Sequence, residues 1–276
     1  MRGDSNPWRS PVRWLIAACL VVCAPLQLRA LGAEHAPGHV LGIGLLAAGL
    51  QAALLWTAAS LLLGGRRRSR SLRLAAFAWG AFVVPAVAAF ANTRAFGLLN
   101  ELGLHSFAAS IAAPINEDAL RFAGTLGVLS LVASRGRLTV TDGAVYGFLV
   151  GAGFEAAENL AFVLATSDGP QALQTALVRT GLGFGLHALW TALTGMVLAY
   201  CSSRAQAGLP ARWGLLVPGL ALPMLLHALW DAPSLSIAPG TTFLVLGAVY
   251  AVSLALCAAG ALWARRHPRP VHCGIR

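Results

Sequence analysis

The chain has 276 residues, of which 57% are hydrophobic and 11% are charged, and its formal net charge is +10. An average soluble domain is about 45–50% apolar and about 25% charged. These proportions exclude a soluble globular protein, a disordered chain and a secreted disulfide scaffold, and they predict a protein of the lipid bilayer.

The positive charge comes entirely from arginine, because the sequence contains 20 basic residues and no lysine. Most of the arginines lie in short clusters between apolar runs, which is typical of a polytopic membrane protein that obeys the positive-inside rule. Since no soluble segment is long enough to form a nucleic-acid-binding module, we expect no nucleic-acid partner.

About eight apolar segments are long enough to cross a bilayer, whose hydrocarbon core needs about 20 helical residues. The sequence therefore predicts an all-α, polytopic integral membrane helix bundle. No connection between the segments is long enough to form a separate soluble domain. In chain order, the predicted spans cover residues 12–31, 40–63, 74–92, 104–134, 140–166, 171–201, 213–233 and 241–264.

The arginines cluster at the same end of successive spans, whereas the opposite ends hold only Arg29 and Arg94. The positive-inside rule assigns the arginine-rich ends and both termini to the cytoplasm, so we expect a multi-pass protein of the cell membrane. The run from Arg66 to Arg73 is interpreted as an orientation signal in contact with anionic lipid, and not as a recognition site. The arginine-rich ends contain Arg2, Arg9, Arg13, Arg66, Arg67, Arg68, Arg70, Arg73, Arg135, Arg137, Arg204, Arg212, Arg265, Arg266, Arg269 and Arg276.

Three glycines in the fifth predicted span, Gly143, Gly147 and Gly151, are spaced by four residues. This spacing places them on one face of a helix, where the missing side chains let a neighbouring helix approach closely. We therefore predict a tight helix–helix contact along this face.

Ionisable side chains lie within four of the predicted spans, the fourth to the seventh. A charge at the bilayer centre costs about 2.5–3.5 kcal/mol on insertion scales, so these groups must face one another or water, and they are candidates for a functional site. Spacings of three or four residues put those of each span on one helical face. We expect the four faces to converge on one buried polar cavity. The residues are Glu117, Asp118, Arg121, Glu155, Glu158, Arg179, His187, His227 and Asp231.

Two of these spacings make specific predictions. Glu117 and Arg121 are four residues apart, so we expect their side chains to pair. Arg179, Gly183 and His187 also recur every four residues, which predicts one continuous stripe along the sixth span.

Depth in the bilayer follows from a rise of about 1.5 Å per residue. On this count the acids Glu117 and Glu158 come out near mid-depth, and so do His187 and His227. The other ionisable residues of the sixth and seventh spans, an arginine and an aspartate, lie closer to the outer face. We therefore expect the cavity to open outward or sideways, away from the arginine clusters.

The ionisable residues lie in four short segments: Glu117-Asp118-Ala119-Leu120-Arg121, Phe154-Glu155-Ala156-Ala157-Glu158-Asn159, Arg179 to His187, and His227-Ala228-Leu229-Trp230-Asp231. In order and spacing they resemble the four motifs of the PrsW intramembrane proteases, a family distantly similar to the CAAX-processing and bacteriocin-immunity membrane proteases. The first motif departs from the usual Glu-Glu-x-x-Lys of the family, because its second acid is Asp118 and its base is Arg121.

The resemblance covers residues 104–233, which we interpret as a PrsW-like catalytic transmembrane core. Residues 1–103 are then N-terminal transmembrane helices without motif residues, and residues 234–276 form the final transmembrane helix and a basic cytoplasmic tail. The resemblance implies an intramembrane endopeptidase that cuts a membrane-spanning protein near the outer face of the bilayer. An anti-sigma factor is a substrate of the family, and only the resemblance suggests that partner here.

Peptide hydrolysis needs an activated water, a polarised carbonyl and a proton donor for the leaving amine. The resemblance implies that Glu117, aided by Glu158, activates the water as a general base, and we expect no cofactor. His187 or His227 would then protonate the leaving nitrogen. Supporting roles in charge neutralisation, orientation and oxyanion stabilisation fall to Asp118, Arg121, Asn159, Arg179 and Asp231.

Alternatives to this mechanism remain open. The residues Glu117, Glu158, His187 and His227 could instead bind zinc with water in an open position, although the sequence lacks the HExxH signature of many zinc peptidases. A proton-coupled carrier or a non-catalytic scaffold would also contain buried ionisable groups. A carrier predicts similar halves, whereas the first three spans carry no acidic residue in mid-helix.

Overall fold

The computed structural model describes residues 10–32, 36–232 and 239–266. These ranges contain ten α-helices and no strand, which confirms the all-α prediction. The helices are α1 (Pro11–Ala30), α2 (Gly38–Leu61), α3 (Arg70–Ala78), α4 (Val84–Glu101), α5 (Ala108–Ala133), α6 (Val140–Leu164), α7 (Gly169–Leu182), α8 (Leu186–Gln206), α9 (Leu216–Trp230) and α10 (Pro239–Arg266).

Seven stretches of helix in the described part of the chain are long and apolar enough to cross a membrane. Helix α5, the fourth predicted span, has 26 residues but carries the charged residues Glu117, Asp118 and Arg121. All three side chains are buried in the bundle, and apolar residues such as Leu126 are on the outer surface of α5. The orientation of the bundle stays a prediction. Five of the charged residues on which it depends lie outside the described residues: Arg2, Arg9, Glu34, Arg269 and Arg276.

Helices α3 and α4 form one continuous stretch because the π-helical turn Trp79–Val83 joins them. At this turn the indole Nε1 of Trp79 donates a hydrogen bond of 3.0 Å to the carbonyl of Leu120 on α5. Gly80 lies against α6 so closely that a Cβ atom there would overlap the carbonyl oxygen of Val150. The turn therefore anchors α3 and α4 to the two helices that carry the first two motifs.

Helix α6 lies at the centre of the bundle, and every residue from 142 to 156 is buried. Its glycine face contacts α8 at backbone distance. A Cβ atom at Gly147 would overlap the carbonyl oxygen of Thr191, and one at Gly151 would overlap that of His187. Gly143 faces Gly195 in the same way. The tight contact predicted from the glycine spacing is confirmed.

The predicted sixth span is divided into α7 and α8 by a break at residues 183–185. Gly185 has a φ of 80°, a left-handed conformation that interrupts the α-helix and that glycine adopts without strain. The break exposes backbone groups, and protein side chains satisfy them: the hydroxyl of Tyr250 donates to the carbonyl of Phe184 at 2.7 Å. The prediction of one continuous stripe from Arg179 to His187 is therefore wrong, because these residues lie on different helices.

Candidate active site

The four predicted motifs meet in one polar cluster inside the bundle. It contains side chains from α5, α6, α7, α8 and the end of α9, and most of them are buried. The cluster has two parts, one around the histidines and one around an arginine of α7. The predicted residues that the structure brings together are Glu117, Asp118, Arg121, Glu158, Asn159, Arg179, His187, His227 and Asp231.

The first part is a group of three ligand-type side chains. One atom each from Glu117, His187 and His227 lie within 4.8 Å of one another, and all three residues are buried. Oε2 of Glu117 and both ring nitrogens of His187 have no hydrogen-bond partner among the described residues. Because buried polar atoms are nearly always partnered, the unsatisfied atoms of Glu117 and His187 beside His227 indicate a place where an ion or water binds.

A buried ion pair holds the ring of His227. Its Nδ1 lies 3.2 Å from Oδ2 of Asp118 and 3.1 Å from Nη2 of Arg121. One ring nitrogen either donates or accepts, so only one of these two contacts is a hydrogen bond in a given tautomer. Arg121 already donates to Asp118 at 2.5 Å. Nδ1 of His227 therefore donates to the other oxygen of Asp118, so that the carboxylate accepts from both Arg121 and His227. Nε2 of His227 is left with a free lone pair.

The carboxylate of Glu117 faces away from this ion pair. It accepts a hydrogen bond of 3.0 Å from Nδ2 of Asn92 on α4, and its Oε2 lies 3.8 Å from Nε2 of His227. The predicted pairing of Glu117 with Arg121 is wrong, because the only salt bridge that the described residues give Arg121 is with Asp118. Asp118 is three residues from Arg121 on α5 and lies beside His227. Its carboxylate therefore contacts the guanidinium of Arg121.

The second part of the cluster surrounds Arg179. Its Nη2 donates to Oε2 of Glu158 at 2.6 Å, and its Nε donates to Oδ1 of Asn159 at 2.6 Å. The same oxygen of Glu158 lies 3.8 Å from Nδ1 of His187, which links the two parts. The side chain of Glu158 is 20% exposed, whereas that of Glu117 is 8% exposed. Water therefore reaches Glu158 more easily than Glu117.

A cavity of about 170 Å³ adjoins the second part, beside the break between α7 and α8. Asn159, Arg179, His187 and Trp230 contribute to its wall. The cavity thus gives a small ligand access to the side chains of His187 and Arg179. At the end of α9, Oδ2 of Asp231 lies 3.6 Å from Nε2 of His227.

Two residues of the network, Gln51 and Asn92, are absent from the sequence-based prediction, and a third, Glu155, is predicted to face the cavity but is given no specific role. Glu155 is 2% exposed and accepts hydrogen bonds from the backbone N–H of Gly185 at 2.6 Å and of His187 at 3.2 Å. Its carboxylate thereby caps the first turn of α8, which carries His187.

Gln51 connects this cap to the second part of the cluster. It is fully buried in α2, donates to Glu155 at 2.6 Å and accepts from Asn159 at 2.8 Å. The available sequence signal was a single amide in an otherwise apolar stretch of helix, and Asn92 gave a similar signal on α4. Neither amide identified its partner, because the partners are distant in the sequence.

Aromatic rings surround the two histidines. The ring of Trp190 stacks on that of His227 with centroids 4.9 Å apart, and Phe154 meets His187 edge to face at 5.0 Å. Nε1 of Trp190 donates to the hydroxyl of Ser253 on α10 at 2.9 Å. These contacts restrict both imidazole rings and keep that side of the cluster dry.

Comparison with known proteins identifies relatives of the sequence. A protein-family model described as PrsW family intramembrane metalloprotease matches residues 68–258. Among curated proteins, a Protease PrsW from Halalkalibacterium halodurans is 34% identical over 91 residues, which are 33% of this chain and 38% of that protein. The match therefore spans well under half of the curated relative. No solved structure matches the chain.

Proposed function

The chain belongs to the PrsW family of intramembrane proteases, and we propose that its active centre is the buried group formed by Glu117, His187 and His227. A protease of this kind acts on substrates within the bilayer, and family membership favours this function over a carrier or a scaffold. One observation supports the proposal most: ligand-type atoms of three buried residues converge there, and Oε2 of Glu117 and both ring nitrogens of His187 have no hydrogen-bond partner among the described residues.

The donor set fits a divalent metal ion. A carboxylate oxygen and two imidazole nitrogens are a common protein ligand set of catalytic zinc sites, which keep another position open. Charge favours a cation as well, because five carboxylates of the network accompany only the guanidinium groups of Arg121 and Arg179. The carboxylates belong to Glu117, Asp118, Glu155, Glu158 and Asp231.

These features favour the zinc-dependent alternative over the metal-free glutamate mechanism that we preferred from the sequence. Both ring nitrogens of His187 lose their hydrogen bonds with water on burial, which costs free energy, and an ion would satisfy one of them. At such a site a zinc ion supplies Lewis-acid activation of the substrate carbonyl and of the attacking water. Glu158 was a candidate ligand, but it lies outside the group of three and pairs with Arg179.

We assign the role of general base to Glu158. Its Oε2 lies 3.8 Å from Nδ1 of His187, and its exposed fraction lets water reach it. The carboxylate would take a proton from the attacking water and return it to the leaving amine. Arg179 lines the cavity, so its remaining N–H groups are placed to donate to the carbonyl oxygen of a substrate.

The other residues of the network position these groups. Asp118 accepts from Nδ1 of His227 and thereby orients Nε2 toward Glu117, as carboxylates commonly do behind a metal-binding histidine. Asn159 uses its amide oxygen for Arg179 and its nitrogen for Gln51. We therefore assign Asn159 to holding Arg179 and not to the oxyanion.

Cleavage is proposed to occur toward the outer end of the bundle, away from the arginine clusters. Glu158 lies six residues before the end of α6 at Leu164, about 9 Å at the usual helical rise. We propose a membrane-spanning protein as substrate. An anti-sigma factor is suggested by family resemblance alone.

The proposal is tested by measuring metal content and proteolysis on the same samples. We expect the purified wild-type protein to hold about one zinc ion per chain, and His187→Ala to lose both the metal and the activity. Glu158→Gln should keep the metal and lose the activity, measured as new peptide termini in membranes that express each variant. His105→Ala changes an exposed histidine in the 3₁₀ turn before α5; it is the matched control and should behave as wild type.

The outcomes separate the mechanisms. Activity that persists without metal and resists chelators, but is lost in Glu158→Gln, would support the metal-free glutamate mechanism. Identical peptide termini for wild type, His187→Ala and Glu158→Gln would contradict the protease proposal.

A further inference from the structure

A groove between α2 and α3, on the arginine-rich side of the bundle, is separate from the active centre. Its volume is about 680 Å³. We call it the arginine groove, and its wall consists of Ala52, Ala53, Trp56, Arg66, Arg68, Arg70, Arg73, Leu74 and Phe77. One end is strongly basic and the other is apolar, so the groove matches an amphipathic ligand.

The basic end carries more positive charge than the protein neutralises. Arg68 pairs with Asp142 at 2.9 Å, and Asp142 is the only acidic residue that the described part of the chain places beside it. Arg66 and Arg70 are exposed and have no hydrogen-bond or ion-pair partner among the described residues. Two unpaired guanidinium groups at one mouth of a groove form a site for a phosphate group, which arginine binds through two parallel N–H donors.

Arg73 supports this interpretation from inside the groove. It is 8% exposed, and its guanidinium lies 4.4 Å from the centre of the Trp56 ring. Its terminal nitrogens donate to the carbonyl of Gly65 and the hydroxyl of Ser60. Its buried Nε has no hydrogen-bond partner among the described residues. A donor of this kind costs free energy unless a ligand or water accepts from it.

The apolar end continues the groove toward the bilayer core. Trp56 lies five residues before the end of α2, about 7 Å below it along the helix. It meets Phe77 edge to face with centroids 6.1 Å apart, and Leu74 on the same wall is 50% exposed. A free phosphate ion would use only the arginines, whereas a lipid would also cover these apolar side chains.

We infer that the arginine groove is a binding site for an anionic phospholipid, with its phosphate at Arg66 and Arg70 and an acyl chain along Trp56, Leu74 and Phe77. This goes beyond an orientation signal, because it assigns one lipid to one groove. General attraction of basic residues to an anionic surface contributes about 1 kcal/mol per residue without any groove. The test must therefore separate a built site from diffuse attraction.

The experiment titrates delipidated full-length protein in detergent with dioleoyl phosphatidylglycerol, with dioleoyl phosphatidylcholine, and with inorganic phosphate. Native mass spectrometry measures lipid binding, and thermal unfolding measures stabilisation. We expect phosphatidylglycerol to bind about 10-fold more tightly than phosphatidylcholine, and phosphate to give no comparable stabilisation. The readout needs no proteolysis, so it succeeds or fails independently of the proposed protease function.

Matched variants locate the site. The double variant Arg66→Gln/Arg70→Gln removes the exposed charges of the groove and should weaken phosphatidylglycerol binding about 10-fold. The control Arg135→Gln/Arg266→Gln removes as many exposed charges on the same side but outside the groove, and should change binding less than about 3-fold. Leu74→Asn should weaken lipid binding through the apolar wall.

Two results would overturn the inference. Equal losses in the two double variants would mean diffuse surface attraction. Stabilisation by phosphate equal to that by phosphatidylglycerol, with Leu74→Asn unaffected, would mean a site for a free anion and not for a lipid.

Discussion

Glu155 and Glu158 are three residues apart on α6, and the structure gives them different tasks. Glu155 accepts three hydrogen bonds, from the backbone of Gly185 and His187 and from the amide of Gln51. In Glu155→Gln one oxygen is replaced by an NH₂ group, which cannot accept, so a buried donor loses its partner. The change also removes a negative charge from the N-terminus of α8.

The magnitude follows from these losses. A buried donor left unpaired costs about 1–3 kcal/mol, and the charge at a helix N-terminus contributes about 0.3–2 kcal/mol. Side-chain hydrogen bonds in membrane proteins average only about 0.6 kcal/mol, which lowers the sum. We expect Glu155→Gln to reduce the free energy of unfolding by about 2 kcal/mol, and Glu155→Ala by about 4 kcal/mol.

Glu158→Gln should show the opposite pattern. Its side chain is 20% exposed and makes one ion pair, and partly exposed pairs contribute about 1 kcal/mol or less. We therefore expect little change in stability but a loss of proteolysis. Glu155→Gln should lose activity only as far as its folded fraction falls, because His187 keeps its position in the folded protein.

The assay is an SDS titration of the purified protein in mixed micelles, with peptide termini measured in parallel. Glu101→Gln, an exposed acid at the end of α4, is the control and should match wild type in both readouts. If Glu155→Gln unfolds as wild type does, or if Glu158→Gln is destabilised as strongly as Glu155→Gln, the assignment of the helix cap is wrong.

Three further predictions test the packing, the histidine orientation and the topology. Gly147→Val should prevent folding, because even a Cβ atom there overlaps a backbone carbonyl of α8. The control Gly97→Val has open space around it and should fold. Expression and gel filtration of both variants decide this. Asp118→Asn should weaken zinc affinity about 10–100-fold without removing a ligand, which a competing chelator measures; unchanged affinity would refute the role in orientation. A reporter fused after Arg276 should be cytoplasmic, and an external reporter would reverse the orientation.

The sequence alone was sufficient to locate most of the membrane-crossing segments and most of the polar residues that meet between them. Length and hydropathy locate membrane spans because the bilayer imposes one thickness on every helix. The cost of a charge in lipid required the mid-span acids and histidines to converge, and the structure brings all nine predicted site residues together. The glycine spacing on α6 likewise predicted a tight helix contact on one face of α6, since a period of four residues defines a helical face.

The tertiary structure alone decided which groups are partners. Arg121 pairs with Asp118 and not with Glu117 because His227, 106 residues away, lies beside that pair. Glu155 caps α8 because the break at residues 183–185 turns backbone N–H groups toward α6, and Gln51 reaches it from 104 residues away. Helical periodicity shows which face a residue occupies but not which helix packs against that face. Hydrogen bonds need heavy-atom distances near 3 Å, so their partners follow only from the packing of the whole bundle.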